Sequence, residues 1–180
     1  MKSILKILLI ILAVVPVLSQ TDNDSSKFDL QVKEPVGQDF WLCFMMNYKE
    51  DPDNPKNALL LELFLTGDKD ANVTIEVEAI KFKKEIFVPG GTVKSVVIDP
   101  LAQTRSFEII ERGLAVHVTA TRPISVYGLN RRYQTTDTYL GLPINVLGKE
   151  YRVMCYHVAE KLAPTFAIIG VEDNTIVDIT

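Results

Sequence analysis

Most of the chain after residue 27 alternates between apolar and polar residues with the period of a β-strand. Apolar residues fill every second position from Leu59 to Leu65, from Val73 to Ala79 and from Leu114 to Ala120. Side chains two residues apart share one face of a strand, so each segment predicts a strand buried on one face. The shorter apolar runs Ile124 to Leu129 and Thr165 to Ile169 predict further strands of the same kind.

The segment from Phe40 to Met46 differs because it is apolar at both alternating positions. This pattern predicts a strand that is covered on both faces. Trp41 belongs to this segment, and packing in the core is the favoured interpretation for its side chain. The alternative is a surface platform on which a sugar ring stacks.

The breaks between these strands carry residues typical of turns. Glu50–Asn57 is rich in Pro, Asp and Asn, Gly67–Asn72 predicts a hairpin-type connection, and Pro89–Gly91 and Thr121–Pro123 predict tight turns. No long segment shows helical periodicity. Many short strands separated by turns predict an all-β fold, an antiparallel β-sandwich, with a barrel as the alternative.

The first 19 residues have the layout of a secretory signal peptide. Two lysines precede an apolar run, and Pro16 interrupts that run. The residues at the third and first positions before Gln20 are small or compatible with cleavage, so we expect cleavage before Gln20. A membrane anchor is disfavoured because Ile7 to Leu18 is 12 residues, whereas a spanning helix needs about 20. The sequence therefore predicts export of a chain that begins with a flexible lead over residues 20–27.

Two short segments recur about a hundred residues apart. Gly37–Leu42 (GQDFWL) resembles Gly148–Val153 (GKEYRV), and Val73–Ile75 resembles Val177–Ile179. We interpret this similarity as a tandem repeat. The predicted first copy is a β-sandwich domain over residues 28–147, and residues 148–180 are an incomplete second β repeat.

Several segments resemble a known family. Pro123–Asn130 (PISVYGLN), Thr138–Tyr151 (TYLGLPINVLGKEY) and Val171–Thr180 (VEDNTIVDIT) are similar to the N-terminal domain of IgGFc-binding proteins, as is the opening Gly37–Tyr48. The resemblance extends over residues 28–180. It implies a β-rich, non-catalytic binding or adhesion module that is secreted or displayed on the cell surface, without implying that this chain binds immunoglobulin.

Composition narrows the possible functions. A formal net charge of -4 argues against nucleic acid as the main partner, and two Cys with two His argue against a multi-cysteine zinc module. The pair Cys155 and His157 lacks an identifiable orienting acid, so a packed thiol and a surface imidazole are favoured over a nucleophile with its base. The sequence predicts no enzyme activity, no catalytic residue, no metal and no cofactor.

The predicted export determines which covalent modifications the cysteines and asparagines can undergo. An oxidising compartment allows a Cys43–Cys155 disulfide, but these residues lie in different copies at opposite strand parity, so two buried reduced thiols are favoured. Asn72-Val73-Thr74 and Asn23-Asp24-Ser25 are acceptor sequences for N-glycosylation.

Recognition is expected at the loops, because loops on a rigid sandwich commonly carry binding residues. The predicted partner is an extracellular protein; the alternatives are a glycan, or a role as a structural repeat of a larger exported protein. Lys81, Lys83 and Lys84 are expected to protect a sheet edge by their charge. The candidate loop residues are Asp51, Asp53, Asp68, Asp70, Arg131, Arg132 and Tyr133.

Overall fold

The fold consists of antiparallel β-strands. A computed structural model describes residues 35–47, 58–104, 110–133, 135–154 and 165–180. Within these ranges there is no α-helix, only short 3-10 turns at Glu78–Ile80, Pro100–Ala102 and Ile144–Val146. The predicted all-β, antiparallel class is confirmed. The strands are Gly37–Leu42 (β1), Leu60–Thr66 (β2), Ala71–Val77 (β3), Phe82–Val88 (β4), Val93–Ile98 (β5), Val116–Arg132 (β6) and Thr135–Gly141 (β7).

The long strand β6 organises the sheet because four strands pair with it. Its first part pairs with β1 and β3, and its second part pairs with β2 and β7. Outside these, β4 pairs with β3 and β5 pairs with β2. We call β4, β3, β1 and the start of β6 the first half of the sheet, and β5, β2, β7 and the end of β6 the second half.

Both halves bury their inner faces in one core, so the sheet curls into a half-barrel. The predicted alternation is confirmed in three strands, because every second residue is buried from Leu61 to Leu65, from Val73 to Val77 and from Val116 to Val118. The inward parity of β6 continues through Ile124 and Val126 in the second half. The largest buried side chains include Phe40 and Phe44, which fix β1 and its extension to the core.

The predicted turn at Thr121–Pro123 is wrong, because β6 continues through it. Within the described strands, β6 changes its pairing partners at this point. Proline has no N–H to donate to a ladder, so it is tolerated where ladder pairing is interrupted. The Thr121 hydroxyl oxygen accepts a hydrogen bond from the Asn72 N–H at 3.0 Å, which links β6 to the start of β3.

The predicted hairpin at Gly67–Asn72 is also wrong. β2 and β3 do not pair with each other; both run antiparallel to β6, one in each half. The connection therefore crosses from the second half of the sheet to the first, where β6 changes its pairing partners. We call this place the bend. Backbone segments approach each other closely here, which favours glycine. A Cβ on Gly67 would lie 3.0 Å from the Pro123 carbonyl oxygen, and one on Gly90 would lie 2.7 Å from the Asp68 carbonyl oxygen.

The predicted tight turn at Pro89–Gly91 is confirmed. The Thr92 N–H donates to the Pro89 carbonyl oxygen at 3.2 Å, and Gly91 has a φ of 71°, a conformation that favours glycine. This turn leads from β4 in the first half to β5 in the second, so it crosses the same bend.

Strand β1 is covered on one face only, which corrects the prediction for Phe40–Met46. Phe40, Leu42 and Phe44 are buried, whereas Trp41 is only partly buried and faces outward. Among the described residues, β1 pairs with no strand except β6, and no strand lies over its outer face. Lys83 and Lys84 lie on β4, an edge strand, as their predicted protective role requires.

Residues 148–154 and 165–180 form no strand, so the strand predicted at Thr165–Ile169 is absent. The tandem repeat stays a prediction. The predicted signal peptide and flexible lead lie outside the described residues, as do the Glu50–Asn57 turn, Asn23, Asp51, Asp53 and Cys155.

Candidate functional site

A row of four outward side chains crosses the first half of the sheet. The cross-strand register places Trp41 of β1 opposite His117 of β6, His117 opposite Glu76 of β3, and Glu76 opposite Lys83 of β4. Directly opposed residues on one face of a sheet lie close enough to interact. We call Trp41, His117, Glu76 and Lys83 the outer-face row.

The aromatic end of the row is held in a fixed geometry. The rings of Trp41 and His117 stack with their centroids 4.1 Å apart and an interplanar angle of 10°. The Nε2 atom of His117 lies 2.9 Å from the Oδ1 atom of Asp39 on β1. The imidazole is thus held between an indole and a carboxylate, and the His117 and Asp39 side chains stay 27% and 36% exposed.

The charged end of the row is exposed and able to rearrange. The Nζ atom of Lys83 lies 2.8 Å from Glu76 Oε1 and 3.8 Å from Glu85 Oε1. The Lys83 ammonium lowers the pKa of the Glu76 carboxyl, and that carboxylate raises the pKa of Lys83. Because water reaches both groups, the pair adds little to stability and can exchange one partner for a ligand.

A cavity of about 420 Å³ adjoins the row. Its size is within the range of small-ligand pockets, which is roughly 300–1,000 Å³. The walls combine aromatic, aliphatic and charged side chains. They are formed by Trp41, Glu76, Val77, Glu78, Lys81, Phe82, Lys83, Gly113, Ala115 and His117.

One wall of the cavity depends on Gly113. This residue has a φ of 68°, and its carbonyl oxygen accepts a hydrogen bond from the Ala79 N–H at 2.9 Å. A Cβ at this position would lie 3.3 Å from the Glu78 Cβ. Glycine therefore lets the turn after β3 approach the segment before β6.

The candidate loop residues Arg131, Arg132 and Tyr133 lie at a tight hairpin. β6 continues to Arg132 and pairs in register with β7 from Thr135. Arg132 is 9% exposed, so its side chain does not lie on the surface as predicted, whereas Arg131 and Tyr133 are exposed. Whether these residues bind a ligand stays a prediction.

The inward residues near this hairpin stabilise the fold. The Asn130 Nδ2 donates to the Met45 carbonyl oxygen at 2.7 Å, and its Oδ1 accepts from Asn47 Nδ2 at 3.0 Å. These bonds tie the segment after β1 to β6.

Asp68 and Asp70 lie in the connection that crosses the bend. Asp70 Oδ1 accepts a hydrogen bond from the Gly90 N–H at 2.8 Å, which joins this connection to the turn between β4 and β5. Asp68 is exposed. The described candidates thus lie at two separate places, the bend and the β6–β7 hairpin, rather than in the outer-face row.

Cys43 is a free thiol. Burial raises the pKa of its side chain, and burial also raises the pKa of Tyr139, whose hydroxyl donates to the Cys43 carbonyl oxygen at 2.7 Å. The Tyr139 ring also packs edge-on against Phe44. This cluster attaches the end of β1 to β7.

These two raised pKa values predict a loss of stability at alkaline pH. The unfolded groups lose their protons near their usual pKa values of 9.0 and 10.0, while the folded chain retains both protons to higher pH. The unfolded state therefore binds fewer protons, and the free energy of unfolding should fall as the pH rises above about 9.

Urea denaturation between pH 7 and 11 measures this effect, with Tyr139→Phe as the matched variant. The variant should be less stable than the wild-type chain at pH 7, because it lacks the bond to Cys43, and should show a shallower decline above pH 10. Parallel declines in the two proteins would show that Tyr139 does not contribute.

Asn72 is exposed at the second position of β3. When the chain is expressed in eukaryotic cells with a secretory leader, we expect Asn72→Gln to lower the mass of the secreted product by one glycan. Asn145→Gln, at an exposed asparagine outside any acceptor sequence, is the control and should leave the mass of attached glycan unchanged. Mass spectrometry before and after enzymatic deglycosylation makes the comparison.

Comparison with known proteins adds one finding. The profile of a family described as IgGFc binding protein matches residues 137–180. The predicted resemblance to the IgGFc-binding protein family is confirmed for these residues, the C-terminal part of the predicted range 28–180. The match begins in β7 and includes all of TYLGLPINVLGKEY and of VEDNTIVDIT, two of the segments on which the sequence prediction rested. No curated protein and no solved structure matches the chain significantly.

Two further observations concern the described part of the chain. None of its helical segments has the length and apolar character needed to cross a membrane. Across the same residues, no group of three or more His, Cys, Asp or Glu side chains is placed to hold a metal ion.

The sequence pattern indicated Trp41 as a possible surface platform but did not predict the outer-face row. The signal available was parity: Trp41, His117 and Glu76 each alternate with apolar residues that proved to be buried. The pairing of β1, β6, β3 and β4 depends on contacts between distant segments, which local alternation does not specify.

Proposed function

We propose that this chain is a secreted or cell-surface, non-catalytic binding module. The observation that carries the proposal is the match of residues 137–180 to the IgGFc-binding protein family. The leader-like first 19 residues add support for export. The proposed partner is an extracellular protein.

We place ligand contact at the outer-face row and its cavity. Four paired strands support these side chains, so their backbone is ordered before a ligand arrives, and a preorganised surface reduces the entropy cost of binding. The row also presents the features common at recognition surfaces, namely an aromatic ring beside charged groups that water can reach.

A non-catalytic role is supported by the environment of Cys43, the cysteine that the structure describes. A reactive cysteine needs a lowered pKa, whereas burial raises the pKa of Cys43. His117, the histidine in the row, is engaged by Asp39 and Trp41.

Glycan binding is the second candidate, and Trp41 favours it. An indole that lines a cavity can stack on the apolar face of a sugar ring, while neighbouring carboxylates and ammonium groups bond to its hydroxyls. Glu76, Glu78 and Lys81 line the same cavity and supply such groups.

The experiment compares the two candidates on the same mature protein, residues 20–180. The protein is applied to immobilised IgG Fc, the ligand in the family's name, and to an array of extracellular glycans. Binding to Fc that free sugars do not compete supports a protein partner, and binding to array glycans supports the second candidate. Retention of the chain in the cytosol with its first 19 residues attached would contradict export.

A further inference from the structure

An exposed phenylalanine lies directly beside the predicted glycosylation site of β3. The pairing of β3 with β4 places Phe87 opposite Asn72, and both side chains project from the outer face, because Ala71, Val73 and Val88 next to them are buried. Opposed residues of an antiparallel pair have Cβ atoms about 4.5–5.5 Å apart. Phe87 is 53% exposed. An uncovered aromatic ring therefore lies within one side-chain length of the atom to which a glycan would be attached.

A recess of about 290 Å³ joins these two residues. It is lined by Asn72, Val73, Thr74, Glu85, Ile86 and Phe87. The volume lies just below the range of pockets for drug-sized ligands, roughly 300–1,000 Å³, and so suits one sugar residue rather than an oligosaccharide. Thr74 is the third residue of the acceptor sequence Asn72-Val73-Thr74. The recess thus contains the acceptor sequence itself.

The walls of the recess match the chemistry of a sugar. The C–H groups of a pyranose face are attracted to the negative π face of an aromatic ring such as that of Phe87. Glu85, which lies opposite Thr74, carries a carboxylate that accepts hydrogen bonds from sugar hydroxyls or from an acetamide N–H.

Covalent attachment makes these contacts more favourable than they would be for a free sugar. Glycosylation transfers the glycan from a lipid-linked pyrophosphate donor to the Nδ2 atom of Asn72, which loses one proton as the lipid pyrophosphate leaves. The attached sugar has already lost the translational freedom that opposes the binding of a free ligand.

We propose that the recess is a subsite for the first N-acetylglucosamine of a glycan on Asn72, which packs on the Phe87 ring and stabilises the pairing of β4 with β3. Among the described strands, β4 pairs with β3 alone and lies at the edge of the sheet. A sugar bonded to β3 and packed on β4 adds a contact between the two strands. The inference shares with the proposed function only the predicted export, and its test requires no ligand.

The test uses the complete mature chain, secreted from eukaryotic cells and trimmed by an endoglycosidase that leaves one N-acetylglucosamine on each occupied asparagine. Asn72→Gln, treated in the same way, is the form without this sugar. Amide hydrogen exchange at Phe82–Val88 is measured in both forms by mass spectrometry. We expect at least about threefold slower exchange in the chain with the sugar, because added packing on an edge strand makes its local opening less frequent.

Three variants test whether the Phe87 ring causes this difference, each prepared with and without Asn72→Gln so that the effect of the substitution itself cancels. The difference should disappear in Phe87→Ala and shrink in Phe87→Leu, which keeps apolar bulk without a π face. It should persist in Tyr127→Ala, which removes an exposed ring from the second half of the sheet.

Two results in the exchange measurement would overturn the subsite: an equal difference in Phe87→Ala and the wild-type chain, or no difference in the wild-type chain. Secretion with Asn72 unoccupied, determined from the mass of the peptide that contains this residue, would also overturn it. Because none of these outcomes depends on binding to Fc or to array glycans, the inference and the proposed binding function can fail separately.

Discussion

Replacing Phe40 by alanine should lower the free energy of unfolding by about 3–5 kcal/mol, the cost typical of emptying a phenylalanine site in a packed core. Phe40 is fully buried and lies on β1, where it contributes to the core that both halves of the sheet share. A single shared core predicts that both halves unfold together. Urea denaturation followed by circular dichroism measures the change.

Phe87→Ala is the matched control, because Phe87 lies on the edge strand β4 and is 53% exposed. Its removal should cost about 1 kcal/mol or less. Equal losses from the two substitutions would show that the interior is not organised around β1 and β6 as described. A loss of only one half of the sheet in Phe40→Ala would contradict the shared core.

Replacing Trp41 by alanine should weaken ligand binding at least about tenfold, because truncation of a central aromatic contact commonly costs more than 1.4 kcal/mol. The fold should tolerate this change better than Phe40→Ala, since the indole packs on His117 at the outer face rather than in the core. Surface plasmon resonance on whichever immobilised ligand binds the wild-type chain measures the effect.

Two further variants separate the role of the indole from a general loss of aromatic surface. Tyr127→Ala removes an exposed ring, 44% accessible, from β6 in the second half of the sheet and should leave affinity unchanged. His117→Phe keeps an aromatic neighbour for Trp41 but removes the contact with Asp39, so it should have an intermediate effect. Equal weakening by Tyr127→Ala and Trp41→Ala would place the binding surface elsewhere.

The sequence predicted the inward face of most strands, because burial of one face imposes a period of two on the chain. The alternation at Leu61–Leu65 and Val73–Val77 is a local property and was read correctly. The covering of Trp41 was predicted wrongly, since apolar residues on both faces of β1 could not reveal that no strand of the described part of the chain covers its outer face. An apolar pattern shows that one face of a strand is hydrophobic, but it does not show whether another element packs on that face.

The connections were predicted less well than the strands. Thr121-Arg122-Pro123 has the composition of a turn, yet β6 passes through it where the sheet bends. Gly67–Asn72 has the composition of a hairpin, yet it joins strands in different halves. Gly67 allows close backbone approach in the connection, and Pro123 lies where the pairing of β6 is interrupted. Both requirements favour the residues that are also typical of turns.

The candidate site depended on the same long-range information. His117 and Glu76 are 41 positions apart, and they meet only because β3 and β6 pair in one specific register. A shift of that register by one residue would turn every outward side chain inward. Local alternation therefore could not bring the members of the outer-face row together.

Ligand binding through the outer-face row can be measured by applying the wild-type mature chain and Trp41→Ala side by side to IgG Fc and to a glycan array. We expect the wild-type chain to bind one of these ligand classes saturably and the same signal to fall at least about tenfold in the variant. A variant that is folded by circular dichroism and binds with wild-type affinity would contradict it.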